Sequence, residues 1–481
     1  VAIYGLGQFV LYAGPMLLFP LYARCLAPSD FGALTVLQRV GDVLTLCLLF
    51  NGFRQAIFAV HGQSEGERRR RVAGTVVTVI LGVVLIGLAA ALSGARLSSW
   101  GLDVGPQLVV LASTAALAES SCYVLLGLSQ AREESSFVVA GNVTQLLLRV
   151  VLAIGFVVGL GWGAAGALLA STLASGAIAV FLVVREAGRA PLLPDWSIVR
   201  EMASFSLPFL PGGLSMFLLN NGDRFLVLHW HGKEAVGVYD LGYRLALAVY
   251  MLSMGPLQMV WGTRLYQSAR QPGSAHLFGR TISRILMTYT LAGLGVCLFA
   301  DEAVALLGAG RYPAAAEIVP PVALACWFLG TATLADAPFY IRRRTGLKTV
   351  VAVTSAVVVL ACYRLLIPAF GGPGAAFATL IGFAFQAALT RGVGQRLFAI
   401  SYEDRRLVGA LAIAVALWGI SRLLPATLAV LPAKVFLWAM YPMALWAAAL
   451  IRADEAAWMC DAATEGWLRA RTFMRRGVMN A

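Results

Sequence analysis

Charge is scarce in this chain of 481 residues: Asp, Glu, Lys and Arg together make up 13% of it, against 59% hydrophobic residues. A soluble domain of such length needs far more polar surface, so a water-soluble globular protein is excluded. Polar stretches long enough to fold as a separate soluble domain are missing as well. Cysteine is sparse and unpaired. The seven Cys are scattered, mostly in apolar runs, with no CxxC pair and no neighbouring His, so neither a disulfide framework nor a metal site is implied. No P-loop occurs, so any driving force must come from an ion gradient, the membrane potential or removal of product. Long loops are absent where a membrane glycosyltransferase or ligase would need them, as at 159–162 and 231–234, and an enzyme is not expected.

What the chain has instead is apolar runs of about 20 residues from end to end, the length that crosses about 30 Å of hydrocarbon as a helix. They read as roughly fourteen spans, near 1–23, 31–60, 72–93, 105–127, 136–158, 163–184, 204–230, 235–263, 280–299, 314–338, 348–367, 372–395, 406–423 and 432–451. The expected fold class is an all-α polytopic membrane protein. The net charge of +13 resides mostly in short connections such as GERRRR (66–71) and RRRTGLK (342–348). Positive charge in short loops is retained on the cytoplasmic side, which places both termini in the cytoplasm and makes these clusters topology signals rather than a nucleic-acid footprint. The tail 452–481 mixes Trp458, Trp467 and Phe473 with Arg469, Arg471, Arg475 and Arg476, the pattern of an amphipathic helix on an anionic leaflet. Numbering opens on Val1 rather than Met, already inside a span, as if a short leader preceded it.

Two segments repeat. In FGALTVLQRV (31–40) Gly32 stands seven places before Arg39, and in VGVYDLGYRL (236–245) Gly237 stands seven places before Arg244, an offset of 205. GAAGA (163–167) and GAAFA (374–378) open two further spans at an offset of 211. The shared offset points to an N-terminal six-helix bundle (1–184) and a C-terminal six-helix bundle (204–395), followed by two additional helices (406–451) and the tail. Because six is even, the halves share one orientation and are related by a pseudo-two-fold axis along the membrane normal, with the binding site between them.

Five arginines fall inside spans: Arg39, Arg54, Arg149, Arg224 and Arg244. Each costs roughly 2.5–3.5 kcal/mol at the centre of a lipid-facing helix, so they must face protein or water. Asp42, Asp223, Asp240 and Glu119 accompany them, and two readings stand side by side: neutralising pairs that lock helices together, or a hydrated cavity with a positive bias. Along the second span Arg39, Asp42 and Arg54 fall within an arc of roughly 120° on one side, which favours the cavity. Guanidinium forks match phosphate oxygens. Amide and aromatic groups nearby, among them Asn221, Tyr239 and Tyr243, suit sugar rings. The expected substrate contacts are therefore Arg39, Arg54, Arg149, Arg224, Arg244, Asn221, Tyr239 and Tyr243. Asp42, Asp223, Asp240 and Glu119 are the candidates for coupling to H+ or Na+; no cofactor or metal is expected.

LYAGPMLLFPLYARCLAPSDFGALTVLQRV, SLPFLPGGLSMFLLNNGDRFLVLHWHGKEAVGVYDLGYRLA and the GAAGA/GAAFA openings resemble the polysaccharide transporters of the multidrug/oligosaccharidyl-lipid/polysaccharide exporter (MOP) superfamily, especially Wzx-type O-antigen flippases. That resemblance implies a multi-pass protein of the bacterial inner membrane that moves an undecaprenyl-pyrophosphate-linked oligosaccharide from the cytoplasmic to the periplasmic leaflet by alternating access. It implies membrane lipids and polysaccharide polymerase and chain-length machinery as partners. The alternatives within the superfamily are a MurJ-like lipid II flippase and a multidrug or cation antiporter; the latter would call for an acidic, aromatic cavity rather than arginines.

Overall fold

The computed structural model describes residues 18–48, 50–62, 64–96, 105–269, 273–423 and 430–450, and among them no strand occurs. The amphipathic helix expected over 452–481 lies outside the described residues. The helices are α1 (residues 18–25), α2 (Pro28–Cys47), α3 (Phe50–Gly62), α4 (Gly66–Arg96), α5 (Pro106–Ala131), α6 (Ser135–Ala153), α7 (Gly163–Ala187), α8 (Trp196–Ser206), α9 (Leu210–Ala269), α10 (Ser274–Leu298), α11 (Ala300–Gly308), α12 (Ala315–Ala335), α13 (Ala337–Ile341), α14 (Thr345–Leu397), α15 (Asp404–Ser421) and α16 (Leu431–Ala447). Nine stretches among the described residues are long and apolar enough to cross a membrane. The chain is a multi-pass, all-helical membrane protein.

Local chemistry sets the helix ends. Proline opens α2 and α5, where its missing N–H is one of the orphan donors of the first turn. Asp195 caps α8 by accepting from the Ser197 backbone N–H at 3.0 Å. Inside the spans Ser and Thr hydroxyls donate to carbonyls one turn back, as Thr78 does to Gly74 (2.9 Å) and Thr331 to Trp327 (2.9 Å), which leaves no hydroxyl facing hydrocarbon unsatisfied at these positions.

Two helices fold back on themselves. At 60 residues α9 would extend about 90 Å if straight, about three times the hydrocarbon thickness. Gly232, at φ 79° and ψ −179°, breaks it in a conformation open essentially to glycine alone. The arms then run back side by side, and the Tyr239 hydroxyl donates to Asp223 across the hairpin at 2.5 Å. The same device divides α14: Gly371 has φ 58°, and the Tyr363 and Thr379 hydroxyls meet at 3.0 Å across that turn.

The span read at 31–60 is one candidate crossing, Pro28–Gly62, in which α2 ends at Cys47 with Leu48 (φ −82°, ψ 10°) after it and α3 runs from Phe50. Arg39 and Asp42 of α2 line the cavity described below, whereas Arg54 of α3 does not.

By its contacts the chain divides into two compact units, Val1–Leu265 with Ala300–Ala399, and Tyr266–Phe299 with Ile400–Ala481. In the first, α5 packs against α2, α3, α4 and α7, and α12 packs against α14. Ile57, Val76, Ile80, Leu125, Leu128 and Met202 form part of its dry core. In the second, α10, the span read at 280–299, packs with α15 and α16 through Leu294, Leu298, Ala414 and Tyr441. Trp438 donates its indole N–H to the Leu291 carbonyl at 2.9 Å within that unit.

The internal repeat has a physical form in the first unit. α2 crosses the second arm of α9 where Gly32 meets Gly237. A Cβ on Gly32 would stand 1.9 Å from the Lys233 carbonyl oxygen, and one on Gly237 would stand 2.1 Å from the Pro28 carbonyl oxygen. Pro28 and Lys233 are themselves 205 residues apart, so the contact is isologous: each repeat presents the same surface to the other. One turn further on, Thr35 donates to Asp240 at 3.0 Å, again at a separation of 205. Backbone turns repeat too. Glu133 (φ 63°) and Arg343 (φ 52°) end their helices in the left-handed region with matching hydrogen bonds, Glu134 N to Ser129 O at 3.1 Å and Arg344 N to Phe339 O at 2.8 Å.

Candidate functional site

Beyond the glycine crossing, a cavity is lined by residues of both repeats. It has two chambers. The first, about 240 Å³, is lined by Tyr22 of α1, Gln38, Arg39, Asp42 and Thr45 of α2, Ala112, Ala115, Ala116, Glu119 and Ser120 of α5, Arg149 of α6, Ser171 of α7 and Arg244 of α9. The second, about 500 Å³, is lined by Gly213, Met216, Phe217, Asn220 and Asn221 of α9 and by Tyr123 of α5. Asp42, Thr45, Glu119 and Ser120 belong to both and form the wall between them. Helical periodicity explains who faces inward: α5 supplies 112, 115, 116, 119, 120 and 123, and α9 supplies 213, 216, 217, 220 and 221, each the single stripe of a 3.6-residue repeat.

Three of the five sequence-predicted arginines line the first chamber. Arg39 pairs with Asp42 at 2.8 Å and donates to the Asn221 side-chain oxygen at 3.0 Å, thereby bridging the repeats. Arg244 makes the reciprocal bridge, donating to Gln38 at 3.3 Å while it pairs with Asp240. Arg149 pairs with Glu119 at 3.0 Å and donates to Ser175 at 3.0 Å; Gln145 donates to the same hydroxyl at 2.8 Å. The Arg149 Nε is buried and has no hydrogen-bond partner among the described residues. Glycine again permits close approach: a Cβ on Gly41 would fall 2.6 Å from that of Ala116, so α2 and α5 can carry Arg39, Asp42 and Glu119 side by side.

The other two arginines are placed differently. Arg54 of α3 donates to Gln130 at 2.5 Å and lies 3.9 Å from the centre of the Tyr123 ring, behind the wall rather than in it. Arg224 is sealed: its side chain is 4% exposed and it binds Asp223 at 2.7 Å, Asp240 at 3.2 Å and the Asn220 carbonyl at 2.7 Å, with its guanidinium 3.9 Å from the Tyr243 ring centre. Tyr239 and Tyr243 are buried in the same cluster, away from both chambers. The predicted carboxylates divide likewise, for Asp223 and Asp240 are buried whereas the Asp42 and Glu119 side chains are 45% and 53% exposed. The two readings of the charges thus apply to different residues: Asp223, Arg224 and Asp240 lock the α9 hairpin, and Arg39, Arg149 and Arg244 face the cavity.

Tyr22, Thr45, Tyr123, Ser171 and Phe217 were not singled out by the sequence. For α5 the stripe of small residues carrying Glu119 and Tyr123 was the available signal. For Tyr22 none was present.

Two pseudo-symmetric repeats that meet at a glycine crossing, with a chamber lined by three arginines and two carboxylates, define a polytopic membrane protein with a charged internal cavity. The profile of the family described as "Polysaccharide biosynthesis protein" matches residues 1–261, more than half of the chain, and the chain belongs to that family. Its fold is that of the MOP superfamily. A lipid II flippase, MurJ, in an inward closed conformation, superposes with a TM-score of 0.74 at 12% identity, covering 94% of this chain and 100% of that one. An inward-facing multidrug resistance transporter of the MATE family gives 0.61 at 16% identity over 82% of this chain and 93% of that one. A MOP-superfamily transporter from Pyrococcus furiosus gives 0.51 at 16% identity over the same shares. No curated protein matches the chain in sequence.

Proposed function

We propose that the protein is a flippase of the bacterial inner membrane, which carries an undecaprenyl-pyrophosphate-linked oligosaccharide from the cytoplasmic to the periplasmic leaflet by alternating access, with both termini in the cytoplasm. The observation that carries this reading is the arginine chamber of a polysaccharide biosynthesis family member: three guanidiniums line one cavity. Fork-shaped donors bind phosphate oxygens bidentately, and a diphosphate suits several of them at once. The polyprenyl chain stays in lipid.

On this reading Arg39, Arg149 and Arg244 are the phosphate contacts, and the glycine crossing closes the periplasmic side. A pyrophosphate entering the chamber competes with Asp42 and Glu119 for their arginine partners. Those two half-exposed carboxylates are therefore the groups for H+ or Na+ coupling, because each is released into a hydrated space when its partner turns to the ligand. Polymerase and chain-length machinery would take up the product. Flipping in proteoliposomes tests the reading: the wild-type protein moves lipid-linked oligosaccharide between leaflets, and Arg149→Ala, folded and inserted, does not. Equal flipping by both would overturn it. A lipid II flippase, which shares this fold, is the second reading; the same vesicles loaded with lipid II discriminate the two.

A further inference from the structure

The two chambers differ in chemistry. The first holds the arginines; among the described residues the second has no Lys or Arg in its lining. What it presents is a ring (Tyr123), a second aromatic (Phe217) and two amides (Asn220 and Asn221). The amides are held by neighbours but keep free capacity. Asn220 donates to the Met216 carbonyl at 2.7 Å, leaving its oxygen to accept, and the Asn221 oxygen accepts from Arg39 at 3.0 Å, leaving its amide hydrogens to donate. Tyr123 is fixed by Arg54, stacked 3.9 Å from its ring centre, and Arg54 is in turn fixed by Gln130. A rigid aromatic platform beside one acceptor and one donor is the chemistry that recognises a sugar ring.

The dividing wall carries the selectivity. Asp42 and Glu119 are about half exposed, while the arginines they pair with are less so, Arg39 at 24% and Arg149 at 15%. A ligand that passes from the first chamber into the second therefore meets carboxylate oxygens rather than guanidinium.

Building on the flippase reading, we infer that the second chamber is a carbohydrate subsite for neutral or amino sugars, and that Asp42 and Glu119 exclude a sugar bearing a carboxylate from the position next to the pyrophosphate. Arg54, expected from the sequence to touch substrate, is in this arrangement a positioning residue for Tyr123. Like charges placed against each other are a means of rejecting wrong ligands.

Binding to the full-length protein in detergent, followed by native mass spectrometry, tests this with three probes: polyprenyl pyrophosphate bearing an N-acetylhexosamine, the same lipid bearing a hexuronic acid, and the lipid pyrophosphate without sugar. The aminosugar probe is expected to bind about tenfold tighter than the uronic-acid probe. Glu119→Gln should close that gap by gaining affinity for the uronic acid, and Tyr123→Leu should weaken the aminosugar probe alone, leaving the sugarless lipid unchanged. Arg54→Met should reproduce the Tyr123→Leu pattern. Equal or tighter binding of the uronic-acid probe by wild-type protein would overturn the inference while leaving pyrophosphate recognition intact. Failure of the folded protein to bind the sugarless pyrophosphate would overturn the flippase reading itself, and the inference with it.

Discussion

Replacing Gly32 with alanine attacks the close crossing of α2 and α9. The new Cβ would stand 1.9 Å from the Lys233 carbonyl oxygen and 2.9 Å from the Gly237 nitrogen, where ordinary contact begins at 3.4 Å. Both obstacles are backbone, so no side chain can swing aside, and α2 and α9 must separate by roughly 1.5 Å. Overpacking of this kind costs about 1–3 kcal/mol, which lowers the closed population by about 5- to 150-fold relative to a conformer in which the two helices are apart. The assay is the labelling rate of Thr35→Cys, at a site 1% exposed, by a water-soluble maleimide in a cysteine-depleted background. Gly32→Ala should raise that rate within the stated range. Gly176→Ala, whose Cβ would have nothing within 4 Å, should leave it unchanged. Because the contact is isologous, Gly237→Ala should act alike, and the double variant should cost less than the two singles combined, since one separation accommodates both methyl groups. Unchanged labelling in Gly32→Ala, or strict additivity, would refute the reasoning.

Further outcomes follow from the placement of the charges. Arg224→Ala leaves Asp223 and Asp240 buried beside each other without their shared cation, and should lose about 3–5 kcal/mol of stability, seen as loss of folded protein in detergent. Arg39→Ala, by contrast, should stay folded and lose flipping, since its partner Asp42 is half exposed to the cavity. At the loop before α6, burial raises the Glu134 carboxyl, but the hydrogen bonds and charges of Arg185 and Arg189 outweigh it and hold it below its ordinary value. A depressed carboxyl stabilises the fold above its unfolded pKa of about 4.3 and ceases to do so as pH falls through the lower folded value. Glu134→Gln should therefore melt earlier than wild type at neutral pH and converge with it in acid.

Much of the architecture was legible because hydrocarbon leaves the backbone few choices. Apolar length marked the spans, and the breaks at Gly232 and Gly371 fell where the sequence shows short interruptions. The repeat was legible through Gly32 and Gly237, though not the fact that the matched glycines touch each other; that depends on where a symmetry axis passes. The end of α2 at Leu48 was hidden, since no Gly or Pro marks it in TLCLLF. Among the arginines, sequence could not separate Arg224 from Arg244. Both lie in apolar runs next to Asp, and they share Asp240 in the fold. Only tertiary packing decides that one is sealed and the other faces the chamber. The second chamber escaped notice because Tyr123 and Phe217 look like ordinary packing residues until the helices are assembled.

The most direct test of the central claim is a structure of the protein loaded with a lipid-linked oligosaccharide. The account predicts the pyrophosphate in the first chamber, its oxygens within about 3 Å of the Arg39, Arg149 and Arg244 guanidiniums. Phosphate bound elsewhere, with these three side chains still closed on Asp42, Glu119 and Asp240, would contradict it.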